Sequence, residues 1–452
     1  MTEVCSTDTK VQGILGDLYI KQDLNFDETS NLLSELRVLT REKTLSPQVL
    51  DTKCLSTLVD YSTKRHIEAQ KCLSNLILNY PPVRENLVSA YIACAEQHLQ
   101  AVLNKTDTDE EGLNEVLYYD MRIIFLLSAL CSSSQSIIRD RLADSIMKMT
   151  IKESGRLSQE NHLLVIESLK TLFNLTLNKC LDIALATELI KKLFSLVGTE
   201  QLVSVEGDSS VTDQVLVNLI HLLTNMPAQV YQELSDEDAD KILRHLDSQL
   251  KTYLKNSFRD TVLPILNVCA NICRYNKSTR QRWFDEIIAS TKQFDKRPEE
   301  YETLRGRLVK LMTSVDVHIK DIAAEFLYAL CGDDTEKFIT YTGFGNSAAF
   351  LSTRGLLSHA MKKTSESNGG AHPDENYEQL RTKLDPITGK LEAPKKNPME
   401  GMSEEEKERH AEELAGAITR LTNLGIVKPM GIDSDGKISE LHPQSSHKSD
   451  DD

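Results

Sequence analysis

The sequence predicts an all-α protein: stacked helical repeats, then a largely extended C-terminal tail carrying one helix. Three observations predict it. Apolar residues recur at helical spacing before residue 360, as at Leu163, Ile166, Leu169, Leu172, Phe173 and Leu177, read as one buried stripe. Strand signals are weak in this body, which has no Asn-Gly or Asp-Gly pair between alternating apolar runs, and aromatics are 6% of the chain. A short apolar-x-Asn-apolar motif also recurs at intervals of a few dozen residues.

The motif reads Leu73-Ser-Asn75-Leu76, Leu172-Phe-Asn174-Leu175, Leu216-Val-Asn218-Leu219 and Cys269-Ala-Asn271-Ile272. Leu126-Leu-Ser128-Ala-Leu130 and Phe326-Leu-Tyr-Ala329-Leu330 fit the same frame. Anchors at 75, 128, 174, 218, 271 and 329 lie 53, 46, 44, 53 and 58 residues apart. That drifting period is near the ~40–47 residues of armadillo and HEAT repeats, so the expected architecture is an armadillo/HEAT-like superhelical solenoid with a concave groove. The motif Asn residues have two readings: amides that hydrogen-bond backbone at helix junctions, or amides that project into the groove and hold a partner's backbone. Polar neighbours one turn along favour the second for Asn225, Asn271 and Tyr275.

The composition changes near residue 360. Six of twelve Pro and eight of nineteen Gly fall in the last 92 residues, and all nine Cys precede them. The expected domains are a solenoid over 1–360, a flexible linker over 361–396, a tail segment over 397–431 and a disordered acidic end over 432–452. Within the tail, Ser403-Glu-Glu-Glu406 forms a capping box whose acids also suit the helix dipole. A helix over 403–424 follows, with Leu414, Ile418 and Leu421 as a narrow apolar stripe and Gly425 placed to end it. That stripe needs either the solenoid or a partner to lie on.

Composition and motifs also exclude functions. A net charge of −16 argues against nucleic acid or an anionic membrane as the main partner. The longest nearly unbroken apolar run, Ile123 to Cys131, is far below the ~18 residues of a membrane span. The start resembles no secretory signal, the Cys are scattered without a Cys-x-x-Cys pair, and a cytosolic protein is expected. Cys269 and Cys273 lie one helical turn apart without companion ligands, so no metal site is expected. There is no phosphate loop, zinc-binding His pair or nucleophile elbow, and no cofactor or bond-breaking chemistry is expected. His221 reads as a core residue. Gly343-Phe-Gly345 reads as a tight turn into a helix over 347–357, capped near Asn346 or Ser347, rather than a dinucleotide fingerprint.

Several runs carry a family resemblance. Asn397-Pro-Met-Glu-Gly-Met-Ser-Glu-Glu-Glu-Lys407 and Val427-Lys-Pro-Met-Gly431 resemble the C-terminal signature of the synembryns. Lys337-Phe-Ile-Thr-Tyr-Thr-Gly-Phe-Gly-Asn346, Leu308 to Thr313, Ala323 to Leu327, Arg354-Gly-Leu356, Tyr119 to Leu127 and Leu172 to Thr176 agree. The resemblance runs from about residue 60 to 435. It implies an exchange factor and folding chaperone for heterotrimeric G-protein α subunits (Gα), in their GDP-bound or nascent state. It further implies that the Gα C-terminal helix lies in the groove while the tail contacts the nucleotide-binding domain. Carried onto this chain, the groove residues are Asn75, Arg122, Asn174, Asn218, Asn225, Asn271 and Tyr275. The tail residues are Met399, Met402, Leu414, Ile418 and Leu421. A monomer recruited to the cell cortex or plasma membrane through Gα is expected.

Two departures stand out. This chain is shorter than the synembryns it resembles. Where they carry an acidic Ser/Thr run, it reads Lys362-Lys-Thr-Ser365-Glu-Ser367-Asn-Gly-Gly370, without an acid three residues after a hydroxyl, so phosphorylation control there is not expected. The competing reading is an armadillo scaffold or transport adaptor holding an extended cargo peptide. Importin-like grooves use Trp–Asn arrays, whereas this chain has one Trp, at 283.

Overall fold

The structure is a computed structural model. It describes residues 2–20, 25–41, 43, 45, 49–104, 112–155, 157–158, 161–177, 182–196, 211–256, 259–289, 296–356, 384–385, 390–391, 401–427, 430–432 and 438–440. The chain separates into two compact units, Met1–Arg244 and His245–Asp452. This division lies well before the composition change near residue 360.

The first unit comprises α1 (Thr2–Ile20), α2 (Phe26–Thr40), α3 (Thr52–Thr63), α4 (Ile67–Asn79), α5 (Val83–Leu103), α6 (Leu113–Leu130), α7 (Gln135–Ser154), α8 (His162–Thr176), α9 (Ile183–Leu196), α10 (Val211–Leu223), α11 (Ala228–Gln232) and the start of α12 (Asp236–Asn256). Helix starts carry their own signals: the Asn25 and Asp51 side chains accept from the Glu28 and Cys54 amides. The helices form two rows. From α2 to α10 each even helix packs on the next even one, from α3 to α9 each odd helix packs on the next odd one, and consecutive helices from α3 to α8, and α9 with α10, pair across the rows. This is the helical-repeat stacking that the period predicts, each pair covering apolar surface it cannot bury alone. Leu58, Leu73, Leu76, Tyr91, Leu127, Leu142, Leu169 and Leu172 are fully buried in this packing.

Helix α8 differs from its expected stripe. Leu163 and Leu177 are exposed and Phe173 is half-buried, while Leu164, Val165, Ile166, Leu169, Leu172 and Leu175 are buried. Three neighbours, α6, α7 and α10, surround α8. Burial on three sides erases the single-stripe periodicity of a helix lying on one surface.

The second unit holds α13 (Arg259–Tyr275), α14 (Lys277–Trp283) running into a π-helical stretch (Phe284–Ala289), α15 (Leu304–Leu311), α16 (Val317–Leu330), α17 (Thr335–Thr342), α18 (Phe344–Thr353) and the tail helix α19 (Glu404–Asn423). Its main contact is α13 against α16, a step of three helices rather than two. Trp283 is fully buried, edge-on to Phe326 with ring centroids 6.4 Å apart. Gly306 lets α15 sit close to the turn before it, since a Cβ there would lie 2.0 Å from the Tyr301 carbonyl oxygen.

Helix α18 starts three residues earlier than expected. Its N-cap is Gly343, at φ 81°, a left-handed value that a side chain disfavours. Asn346 is no cap: its Nδ2 donates to Glu299 Oε2 (2.9 Å) and to the Thr342 carbonyl (2.8 Å). The tail also forms two short antiparallel pairs, β1 (Leu384–Asp385) with β2 (Lys390–Leu391) and β3 (Met430–Ile432) with β4 (Ile438–Glu440). The last strand lies in the segment expected to be open. Among the described residues no single helix is long and apolar enough to cross a membrane.

Candidate partner-binding faces

The even row is joined by one repeated device. Asn75 Nδ2 donates to the Arg37 carbonyl and to Thr40 Oγ1, both at 3.2 Å. Asn174 Nδ2 donates to the Phe125 carbonyl and to Ser128 Oγ, both at 3.3 Å. Asn225 Nδ2 donates to the Phe173 carbonyl (2.9 Å) and to Thr176 Oγ1 (3.1 Å). In each case the hydroxyl, three residues after the carbonyl, donates to that same carbonyl. One amide thus ties each of three helix ends to the even helix before it, and the junction reading holds for these three nitrogens.

The device also corrects the repeat frame. Counterparts of Asn75 and Asn174 occur at Asn225, not Asn218, whose Nδ2 donates within α10 to the Gln214 carbonyl at 2.8 Å. Ser128, expected to stand in for an Asn, is instead the acceptor that receives one. Asn271 donates to Asn267 Oδ1 along α13 at 3.1 Å, and Tyr275 ends α13 exposed.

Beside these clamps α6, α8 and α10 present a mixed face. Arg122 Nη1 donates to Glu167 Oε1 at 3.2 Å, and Lys170 Nζ donates to Glu167 Oε2 at 3.1 Å. The Glu167 carboxylate is buried while both cations reach solvent, so it orients two positive groups outward. Phe125 and Phe173 are half-buried here, and His221 lies 6.2 Å from Phe173. Burial holds His221 below its ordinary value, favouring the neutral ring. His221 is therefore a half-buried member of a surface, not a core residue. On α4 and α6, Lys71 lies over the Tyr119 ring at 5.3 Å and bonds Glu68.

Phe125, Phe173, Lys170 and Tyr119 were not among the expected site residues. Their half-burial comes from the spacing of neighbouring helices, which one helix's periodicity cannot show. A usable signal existed: Phe125 and Phe173 each precede by three residues the hydroxyl that receives an Asn.

In the second unit Glu325 on α16 is nearly buried and paired with Arg274 of α13 and Arg354 beyond α18. This carboxylate fastens three elements beside Tyr275.

The tail helix forms as the capping box predicts. Ser403 Oγ accepts from the Glu406 amide (3.3 Å) and Glu406 Oε2 accepts from the Ser403 amide (3.1 Å). Gly425 follows its last turn at φ 68°. The helix buries no residue: Leu414, Ile418 and Leu421 are 63%, 52% and 38% exposed, and Leu424, Ile426, Val427 and Met430 extend the apolar surface. Met402 is half-buried, and Met399 lies outside the described residues. Its own chain thus leaves this apolar stripe in water.

One buried cluster had no sequence signal. Cys94, His98 and Asp120 bring thiol, ring nitrogen and carboxylate within 4.8 Å of one another. His98 and Asp120 spend these atoms on each other, forming an ion pair rather than a ligand set. The seven cysteines whose side chains are described, Cys54, Cys72, Cys94, Cys131, Cys269, Cys273 and Cys331, are free and buried. Burial pushes the Cys54 and Cys94 thiols up to about 12, which leaves them unreactive.

The family model described as guanine nucleotide exchange factor synembryn matches residues 32–437. The chain belongs to the synembryn family. "Chaperone Ric-8A" of Xenopus tropicalis is 29% identical over 481 aligned positions, covering 94% of this chain and 88% of that protein. The mouse protein of the same name (Mus musculus) is 27% identical, covering 93% and 86%. Among solved structures, an engineered protein aligns over 82% of this chain and 76% of its own, at 14% identity and a TM-score of 0.47. The family match spans both units and the tail helix.

Proposed function

We propose that this synembryn promotes GDP release from heterotrimeric Gα subunits and chaperones the nucleotide-free or nascent state until GTP binds. The carrying observation is the family match over 32–437, which takes in both the even-row face and the exposed tail helix. The proposed groove contacts are Arg122, with Phe125, Phe173, Lys170 and His221 added to the expected set. Asn75, Asn174 and Asn225 stay in the proposed set through their side-chain oxygens, their nitrogens being bonded within the fold. Asn218, Asn271 and Tyr275 remain proposed contacts, as do Met399, Met402, Leu414, Ile418 and Leu421 in the tail.

Exchange of this kind needs no catalytic side chain. A protein that binds nucleotide-free Gα more tightly than GDP-bound Gα weakens GDP by the same factor. A hundredfold effect needs about 2.7 kcal/mol of differential binding. Holding the Gα C-terminal helix away from its own nucleotide domain supplies it, and GTP binding then releases the complex. The protein acts as a cytoplasmic monomer reaching the cortex through Gα. Trp283 disfavours the cargo-adaptor reading, because a fully buried indole offers no stacking face. The test is fluorescent-GDP release from purified Gα subunits of each class. Acceleration with at least one class is expected, and none with any class, from folded protein, overturns the exchange reading.

A further inference from the structure

Three helices and a strained corner of the first unit meet at a buried group of polar side chains that the proposed exchange function does not use. Asp120 of α6 is fully buried and accepts from Gln70 Nε2 of α4 and Tyr91 Oη of α5, both at 2.7 Å. His98 of α5, also buried, places Nδ1 2.7 Å from the second carboxylate oxygen. Its Nε2 lies 3.3 Å from the Thr63 carbonyl, at the end of α3.

The bonding fixes the proton count. A carbonyl only accepts, so Nε2 must carry a hydrogen. The contact of 2.7 Å on the other side then needs a second hydrogen between Nδ1 and the carboxylate, whichever atom holds it. Without that hydrogen the ring can face Asp120 or Thr63 as a donor, but not both.

The tied carbonyl sits at a corner that needs holding. Arg65, two residues on, has φ 68°, a left-handed value that a side chain disfavours. The chain turns there into α4 through the bonds Arg65 N–H to Ser62 O (2.8 Å) and His66 N–H to Tyr61 O (3.0 Å).

We propose that His98 and Asp120 form a proton-locked latch, in which one shared proton keeps the α3–α4 corner fastened to α5 and α6, and its loss lets that corner open. The groups facing the pair are known from each element. Arg65 comes from the corner, Tyr91 and Cys94 from α5 itself, and the neutral Gln70 from α4. Burial and Arg65 push His98 down, but its bond and charge pairing with Asp120 and the Thr63 carbonyl outweigh them and hold it above its ordinary value of 6.5. The sign follows: a raised histidine adds stability that is complete below its unfolded value and is lost as pH rises through its folded value. The latch is therefore shut under acidic conditions and opens on the alkaline side of the His98 titration.

The test uses the full chain. The His98 ring is followed by NMR against pH, assigned by the signal that His98→Gln removes. Amide exchange at residues 61–66 is measured over the same range and corrected for the intrinsic rate. The latch requires His98 to titrate above its ordinary value, and protection at the corner to fall several-fold through that titration while α8 stays protected. His98→Gln should abolish the coupling, since it retains a donor toward Thr63 but no proton shared with Asp120. If that variant does not fold, His98→Asn provides the assignment, and the wild-type curves decide alone. Titration at or below the ordinary value overturns the latch, and so does corner protection that stays flat while His98 titrates.

Discussion

Helices α8 and α19 both show apolar residues at helical spacing in sequence, yet their fates are opposite. In α8 eleven of fifteen residues are buried; in α19 none is. Helix α8 has apolar residues on most sides and lies between α6, α7 and α10, so tertiary burial holds it. Helix α19 has one narrow stripe and is held by local terms. These are the reciprocal cap at Ser403, three glutamates in the first turn, and the Lys407–Glu404 bond at 2.7 Å. Packing supports the first helix, while the second supports itself and keeps its apolar edge free.

The largest expected effect breaks that comparison directly. Leu172→Ala in α8 should cost about 2–5 kcal/mol, because the buried side chain leaves a cavity among packed helices. Ile418→Ala in α19 should stay within about 0.5 kcal/mol. Denaturant unfolding of both variants measures the contrast, and similar losses would mean that α19 packs as α8 does.

A smaller effect tests the amide clamps. In Asn225→Asp a carboxylate without a donor faces the Phe173 carbonyl and loses both bonds to α8. The expected cost is about 1–3 kcal/mol. A lower melting temperature should accompany any loss of Gα affinity. Unchanged melting with lost affinity would mean that this nitrogen serves the partner instead.

The smallest stability effect carries the largest expected functional one. Leu414→Asp with Leu421→Asp places charge on a stripe that is already in water, so stability should change by no more than about 0.5 kcal/mol. GDP release or Gα affinity should nevertheless fall several-fold. Truncation after residue 396 should do the same and spare binding of an isolated Gα C-terminal peptide. If exchange is unchanged by both, the tail is not a partner contact; if peptide binding is lost too, the tail supports the body.

What the sequence by itself determined was local. The all-α class, the repeat, and the start and end of α19 follow from periodicity, a cap box and one glycine. These depend on residues within a turn or two, where hydrogen bonds and φ preferences act. The family was legible in contiguous runs for the same reason. Tertiary structure decided what depends on distant partners. It left Leu163 of α8 and Leu177 just after it exposed, gave the clamp role to Asn225 rather than Asn218, and brought His98 to Asp120 across 22 residues of chain. A side chain's partner two helices away is set by how the rows stack, and stacking depends on the summed shape of many apolar residues that no short pattern records.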